Sequence, residues 1–323
     1  MKDMFMKRVI IFLFAAFIAG SINAQTRDDV VKAYNDGAKA SQTDVKSAIA
    51  SFESAIQMAD KVGETAADMK QKATQVLPGL YFKLAYASLN EKKPASEIIQ
   101  NAKAAIAVAE KYGNESNKSN SLKVLTQAYN LKAGEYFTKS DFDNALKTYD
   151  SLLAVNPGYV NAFFNKASIY MKQNNYQAVE ESMDAYLAML KPGTDDAKIK
   201  QASTTAREYF RAAGSKASQG EKLDDALSLL NKAAKYGEDK DLYYYFADVY
   251  NKQKNYDSGL ESAQKGLALE TGADDAKAKF YFQMGLAQEG KGQKAEACAS
   301  FKNALFGPFA EPSKAKRTNL KCQ

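Results

Sequence analysis

One spacing constrains this chain more than any other: an aromatic–small–aromatic pattern that returns after thirty-four residues. Tyr129, Ala133 and Tyr136 are followed by Ala145, Tyr149 and Pro157. Phe163, Ala167 and Tyr170 repeat the first set, with Val179, Met183 and Pro192 close to the matching offsets of the second. A period of this length marks stacked helix–turn–helix units, because a single helix pair cannot bury its apolar stripe and neighbours must complete its core. The repetition is visible in plain letters. YMKQNNYQAVEES at Tyr170 aligns with YNKQKNYDSGLES at Tyr250, and YFTKSDFDNAL at Tyr136 shares their spacing. Each contains an Asn- or Asp-bearing turn and then an aromatic (Tyr176, Tyr256 or Phe142) that starts the second helix, so the turn residues are placed to cap it through side-chain acceptors. A chain of 323 residues would otherwise suggest two globular domains. Stacking in one dimension overrides that prior, and the scarcity of proline, six in all, favours helix throughout.

Residues 1–24 read as a separate segment. Lys2, Lys7 and Arg8 form a positive start, Val9 to Ala19 is apolar, and Ile22-Asn23-Ala24 ends in the small residue that a signal peptidase needs, leaving Gln25 as the expected mature N-terminus. The apolar run rises only about 16 Å as a helix, well short of a bilayer core of roughly 30 Å, so an uncleaved anchor is the weaker reading. No cysteine follows the cleavage site, which disfavours a lipoprotein, and no later stretch is apolar enough to span a bilayer. The mature chain is therefore expected to be exported and soluble, in the periplasm or secreted. Losing this segment removes three basic residues and one acidic, so the formal charge falls from +6 to +4, too weak to argue for nucleic acid.

The remainder divides by regularity. Residues 25–111 read as degenerate helical repeats: Tyr34, Gly37 and Ala38 open like a first helix, Ala48, Phe52 and Ala55 fit a second, and Tyr81, Leu84, Ala85 and Ser88 open the next. The polar run at 112–121 (YGNESNKSNS) reads as a loop. Residues 122–311 form the regular array, with TDDAKIKQASTTA extending one first helix, and 312–323 form a capping tail. Cys298 and Cys322 are the only cysteines. In an exported chain they permit one disulfide, and two separate thiols is the other reading.

These spacings resemble the tetratricopeptide repeat, whose pattern is W-x2-L-G-x2-Y, then A-x3-F, then P. The best instances are Tyr243-x2-Phe246-Ala247-x2-Tyr250 and Tyr281-x2-Met284-Gly285, followed by Ala297-x3-Phe301. Tyr or Phe replaces Trp, which is absent, and Lys132 and Lys166 stand where Leu is expected. The resemblance implies an all-α fold, an α-solenoid (right-handed superhelix) of about six to seven helix–turn–helix units. Small residues at Ala133, Ala167, Gly214, Ala247 and Gly285 would let each first helix approach its partner.

Catalysis has little foothold in the sequence. Histidine, the commonest general base and metal ligand, is absent, and there is no metal-spaced Cys pair, phosphate loop or nucleophile elbow. No enzyme activity, cofactor or metal is expected. The resemblance instead implies a scaffold whose first helices line a groove for a peptide or partner segment. By that resemblance the groove candidates are Phe82, Tyr86, Asn130, Phe137, Phe164, Met171, Arg211, Tyr244, Asp248, Asn251 and Phe282. Aromatic and Arg side chains are common binding anchors, and Asn can pair with an extended backbone. The expected partner is another protein of the bacterial cell envelope. The alternative is a glycan, stacked on the same aromatic faces.

Overall fold

The computed structural model describes residues 25–323. The expected signal peptide lies outside the described residues. Among those residues the fold is all-α, an α-solenoid of successive antiparallel helix pairs. The chain divides into two compact units, one ending at Ala128 and the other running from Tyr129 to Gln323.

The first unit contains α1 (Arg27–Ala40), α2 (Val45–Val62), a 3-10 turn at Glu64–Ala66, α3 (Ala67–Asn90), α4 (Ala95–Lys111) and the opening turns of α5 (Glu115–Thr138). A capping box starts α1: the Thr26 hydroxyl accepts from the Asp29 N–H, and the Asp29 carboxylate accepts from the Thr26 N–H at 2.9 Å. Gly37 is the close-contact position of the first pair. A Cβ added there would lie 3.0 Å from the Phe52 ring, whereas the neighbouring Ala38 is exposed. In α4 the apolar stripe buries Ile98, Ala102, Ala105 and Ala109.

The polar run at 112–121 differs from expectation. Only 112–114 form a turn; from Glu115 onward the chain is helical. The Asn114 side chain accepts from the Asn117 N–H at 3.0 Å, which caps the first turn of α5, and Ser121, Val124 and Leu125 are buried in its continuation. Polar composition here marks the exposed side of a helix start, not a linker.

The second unit holds the rest of α5, then α6 (Phe142–Val155), α7 (Asn161–Lys172), α8 (Tyr176–Ala188), α9 (Asp196–Gln219), α10 (Leu223–Lys235), α11 (Lys240–Lys252), α12 (Tyr256–Leu269), α13 (Asp274–Gly290), α14 (Lys294–Asn303), a 3-10 turn at Gly307–Phe309 and α15 (Ala310–Asn319). The polar insertion at Thr194–Ala206 extends α9, as its composition predicts. Small residues at first-helix contact positions are buried without exception: Ala133, Ala167, Gly214, Ala247 and Gly285. At Gly285 a Cβ would come within 2.6 Å of the Phe301 ring, and at Gly214 within 2.8 Å of Leu230, so these helices approach closer than any side chain permits. Phe210, Leu230 and Met183, all fully buried, join the core that runs from α7 to α11.

One turn geometry recurs between the helices of six pairs. Lys92, Ser140, Asn174, Glu221, Lys254 and Gly292 all take positive φ. In each case the next N–H returns to a carbonyl near the end of the preceding helix, as Asp141 does to Tyr136 and Asn255 to Tyr250, both at 2.9 Å. This is the left-handed helix termination that satisfies the last open carbonyls. Second helices are then capped as their sequences suggest: Asp141, Asn175 and Asn255 accept from the N–H groups of Asn144, Ala178 and Ser258. The interval between turns is uneven because first-helix length varies. It is 24 residues in α3, α5 and α9 but 12 in α7 and 13 in α11.

Candidate functional site

In the first unit, Phe82 and Tyr86 lie one turn apart on α3 with ring centroids 5.8 Å apart. The Tyr86 side chain is half exposed, one of the largest apolar surfaces in that unit.

In the second unit the candidates separate into two stretches. The first is built from α5, α7 and the start of α9. Asn130 and Phe164 line one cleft of about 370 Å³ together with Tyr159, Asn161, Asn165, Tyr186, Lys198 and Gln201. Gly134, Phe137 and Ser168 line an adjoining cleft of about 200 Å³, closed by Tyr149 and by the shared Asn165. Phe164 lies tilted against Tyr186 at 5.2 Å, and Phe137 packs on Phe142 at 5.9 Å, so the aromatic walls are fixed by second-helix rings. Burial, opposed by a bond from the Asn165 side chain, raises the Tyr149 hydroxyl pKa above its ordinary value, keeping it a neutral donor. A Cβ placed on Gly134 would meet nothing within 4 Å, which confirms open space above it. The amides of Asn130 and Asn161 make no hydrogen bond with other described residues. The sequence register missed Asn161, Asn165 and Gln201. Asn161 opens α7 ahead of the repeated aromatic, and Gln201 belongs to the extension of α9, outside any repeat offset.

The second stretch runs along α9, α11 and α13, and there the candidates bond to one another. The Arg211 guanidinium reaches both carboxylate oxygens of Asp239, at 2.7 and 2.8 Å, and Arg207 joins it at 3.0 Å. Asp239 also caps α11 by accepting from the Leu242 N–H at 2.8 Å. Asp241 pairs with Lys279 at 2.6 Å. The Ser218 hydroxyl donates to Asp248 at 2.7 Å, and Lys252 sits on both. Asn251 donates to the backbone and side-chain oxygens of Gln283, each at 2.9 Å. Tyr244 packs edge-on against Phe280, and burial raises its pKa, with the Asp248 charge adding to the effect. Arg211, Tyr244, Asp248 and Asn251 therefore serve as ties from one first helix to the next.

Two candidates belong to neither stretch. Met171 is half-buried against the α7–α11 core, and its carbonyl accepts from Tyr209 at 3.4 Å. Phe282 is covered by Phe301 and by Phe309 of the C-terminal segment. That segment is fastened by the Cys298–Cys322 disulfide, with Cα atoms 5.6 Å apart, and by Arg317, which donates to the Cys298 carbonyl at 2.6 Å. Among the described residues no group of acidic, His or Cys side chains is arranged to hold a metal ion, and no helix is long and apolar enough to cross a membrane.

No family model matches the chain. A stretch is 32% identical over 54 residues to the Hsp70-Hsp90 organising protein of Plasmodium falciparum, covering 17% of this chain and about a tenth of that relative's length. Among solved structures, MamA is 25% identical with a TM-score of 0.35, over 61% of this chain and 96% of its own. YrrB, described as a TPR protein with an unusual peptide-binding site, is 16% identical with a TM-score of 0.35, over 58% and 91%. A tetratricopeptide repeat protein from Parabacteroides merdae is 18% identical with a TM-score of 0.29, over 91% and 99%. Likenesses this low add no weight of their own; the chain's helix pairs, recurrent left-handed turns and buried small contact residues define its class. The fold is the all-α solenoid of helix–turn–helix pairs that the resemblance to the tetratricopeptide repeat implies.

Proposed function

We propose that the mature chain is a non-enzymatic scaffold, exported to the bacterial envelope, that holds an extended segment of another envelope protein across the adjoining clefts at Asn130–Ser168. The observation that carries this reading is the pairing of unbonded amides, Asn130 and Asn161, with fixed aromatic walls at Phe137 and Phe164. An amide offers both a donor and an acceptor, which matches the alternating N–H and C=O of an extended backbone, and the rings would take an intervening apolar side chain. Export rests on the basic, apolar and small-residue order of residues 1–24.

Peptides selected from a randomised display library on residues 25–323 would test the site by calorimetry. Asn130→Ala/Asn161→Ala should weaken the selected peptide about tenfold, the loss expected when two neutral hydrogen bonds of roughly 0.5–1.5 kcal/mol disappear, while Lys279→Met leaves it unchanged. Equal loss in both variants, or none in either, contradicts the site. N-terminal sequencing of protein from a periplasmic extract should begin at Gln25; a chain retaining Met1 contradicts export by cleavage.

A further inference from the structure

A second cleft of the second unit lies on the other side of α9 from the candidate groove. At 3.6 residues per turn, Tyr209, Ala212, Ala213 and Lys216 face away from Arg211 and Ser218. The cleft is formed with the start of α8 and with α10 and has a volume of about 980 Å³, toward the upper end of the range for small-molecule sites, roughly 300–1,000 Å³. Its floor is apolar, made by the alanines of α9 and by buried Leu229. One wall is aromatic: Tyr176 lies against Tyr209 with centroids 5.8 Å apart, and Tyr209 is fixed by its bond to the Met171 carbonyl.

The charge around this cleft is unbalanced. Lys216, Lys222 and Lys232 line it against a single carboxylate, Asp225. Lys232 is already paired with Glu180, whose carboxyl is held below its usual range by that contact. Lys216 and Lys222 are different: no carboxylate lies within ion-pair distance of either among the described residues. One positive charge is left over beside an apolar floor and an aromatic wall.

We propose that this cleft binds a small monoanion with a flat aromatic body, its ring on Tyr176 and the alanine floor and its anionic group between Lys216 and Lys222. A neutral aromatic of the same size would forgo the ion pair, and a multiply charged anion would bring charge that the cleft does not balance. The site shares no residue with the clefts at Asn130–Ser168 and does not depend on their function.

Calorimetry on residues 25–323 with 1-naphthoate tests it, with 1-naphthylmethanol as the neutral counterpart. The naphthoate should bind at least about tenfold more tightly than the alcohol, and Lys216→Gln/Lys222→Gln should abolish that difference. Ala212→Glu, which adds a second carboxylate at an exposed lining position, should weaken naphthoate to the same degree with unchanged circular dichroism and melting, and Asn130→Ala/Asn161→Ala should leave it unaltered. Absence of binding heat, equal affinity for the alcohol, or naphthoate affinity that survives both the lysine and the Ala212 substitutions overturns the proposal.

Discussion

Two stretches of the second unit use the same scaffold in opposite ways. From Asn130 to Gln201 the first-helix face carries mostly short or neutral side chains, Lys198 being the charged exception, and two of its amides make no bond with other described residues. From Arg207 to Gln283 the corresponding face carries arginine, aspartate and lysine, and these join α9 to α11 and α11 to α13. Packed helices lie about 8–10 Å apart, a gap that an Arg–Asp or Lys–Asp pair spans easily. Gly134 and Ser168, facing the same cleft, have too little side chain to bridge it. The repeat register therefore determines where a side chain is presented, and side-chain length and charge determine whether that position is left open or taken up by the array itself.

The bonded stretch should be the more sensitive to mutation. The largest effect, however, belongs to the covalent tie beyond it: Cys298→Ser/Cys322→Ser should cost about 3 kcal/mol by the chain-entropy estimate for a loop of this size, read as a lower melting temperature. Next in size, Asp239→Ala removes the α11 cap and leaves Arg207 and Arg211 without their shared acceptor. A loss of about 2 kcal/mol in urea unfolding is expected, and an unchanged midpoint would mean that these ties are ornamental. A pH test follows from Glu270, whose carboxyl is held below its usual range chiefly by Lys240 and then by the Gly272 N–H. A depressed carboxyl stabilises above its unfolded pKa and loses that contribution as pH falls through the folded value. Lys240→Gln should therefore lower the urea midpoint at neutral pH and converge with the parent protein in strong acid; a pH-independent difference contradicts the linkage. Smallest of all, Asn130→Ala/Asn161→Ala should change stability by no more than about 0.5 kcal/mol, because nothing in the array depends on those amides.

Much of the fold was legible in letters. The thirty-four-residue offset from Tyr129 to Phe163 found helix pairs, and the residues before Phe142, Tyr176 and Tyr256 were readable as caps because Asp and Asn carry acceptors in the turn. The run at 112–121 was misread for a physical reason: a capped, solvent-facing helix start has the same polar composition as a loop, and only the burial of Ser121 and Leu125 distinguishes them. The candidate face was legible only as positions. Arg211, Asp248 and Asn251 fall at the right offsets, yet their bonds to Asp239, Ser218 and Gln283 depend on contacts some thirty residues away that no local pattern encodes. Asn161 and Gln201 lie outside the repeat offsets; Asn161 reaches the Asn130 cleft from the first turn of α7, and Gln201 from the N-terminal extension of α9.

The central claim is that the open stretch, and not the bonded one, receives a peptide. Hydrogen–deuterium exchange on residues 25–323 with and without a display-selected peptide tests it most directly. Exchange should slow in the second half of α5, in α7 and in the first turns of α9, with α11 and α13 unaffected. Protection centred on α11 and α13, with α7 unchanged, would contradict it.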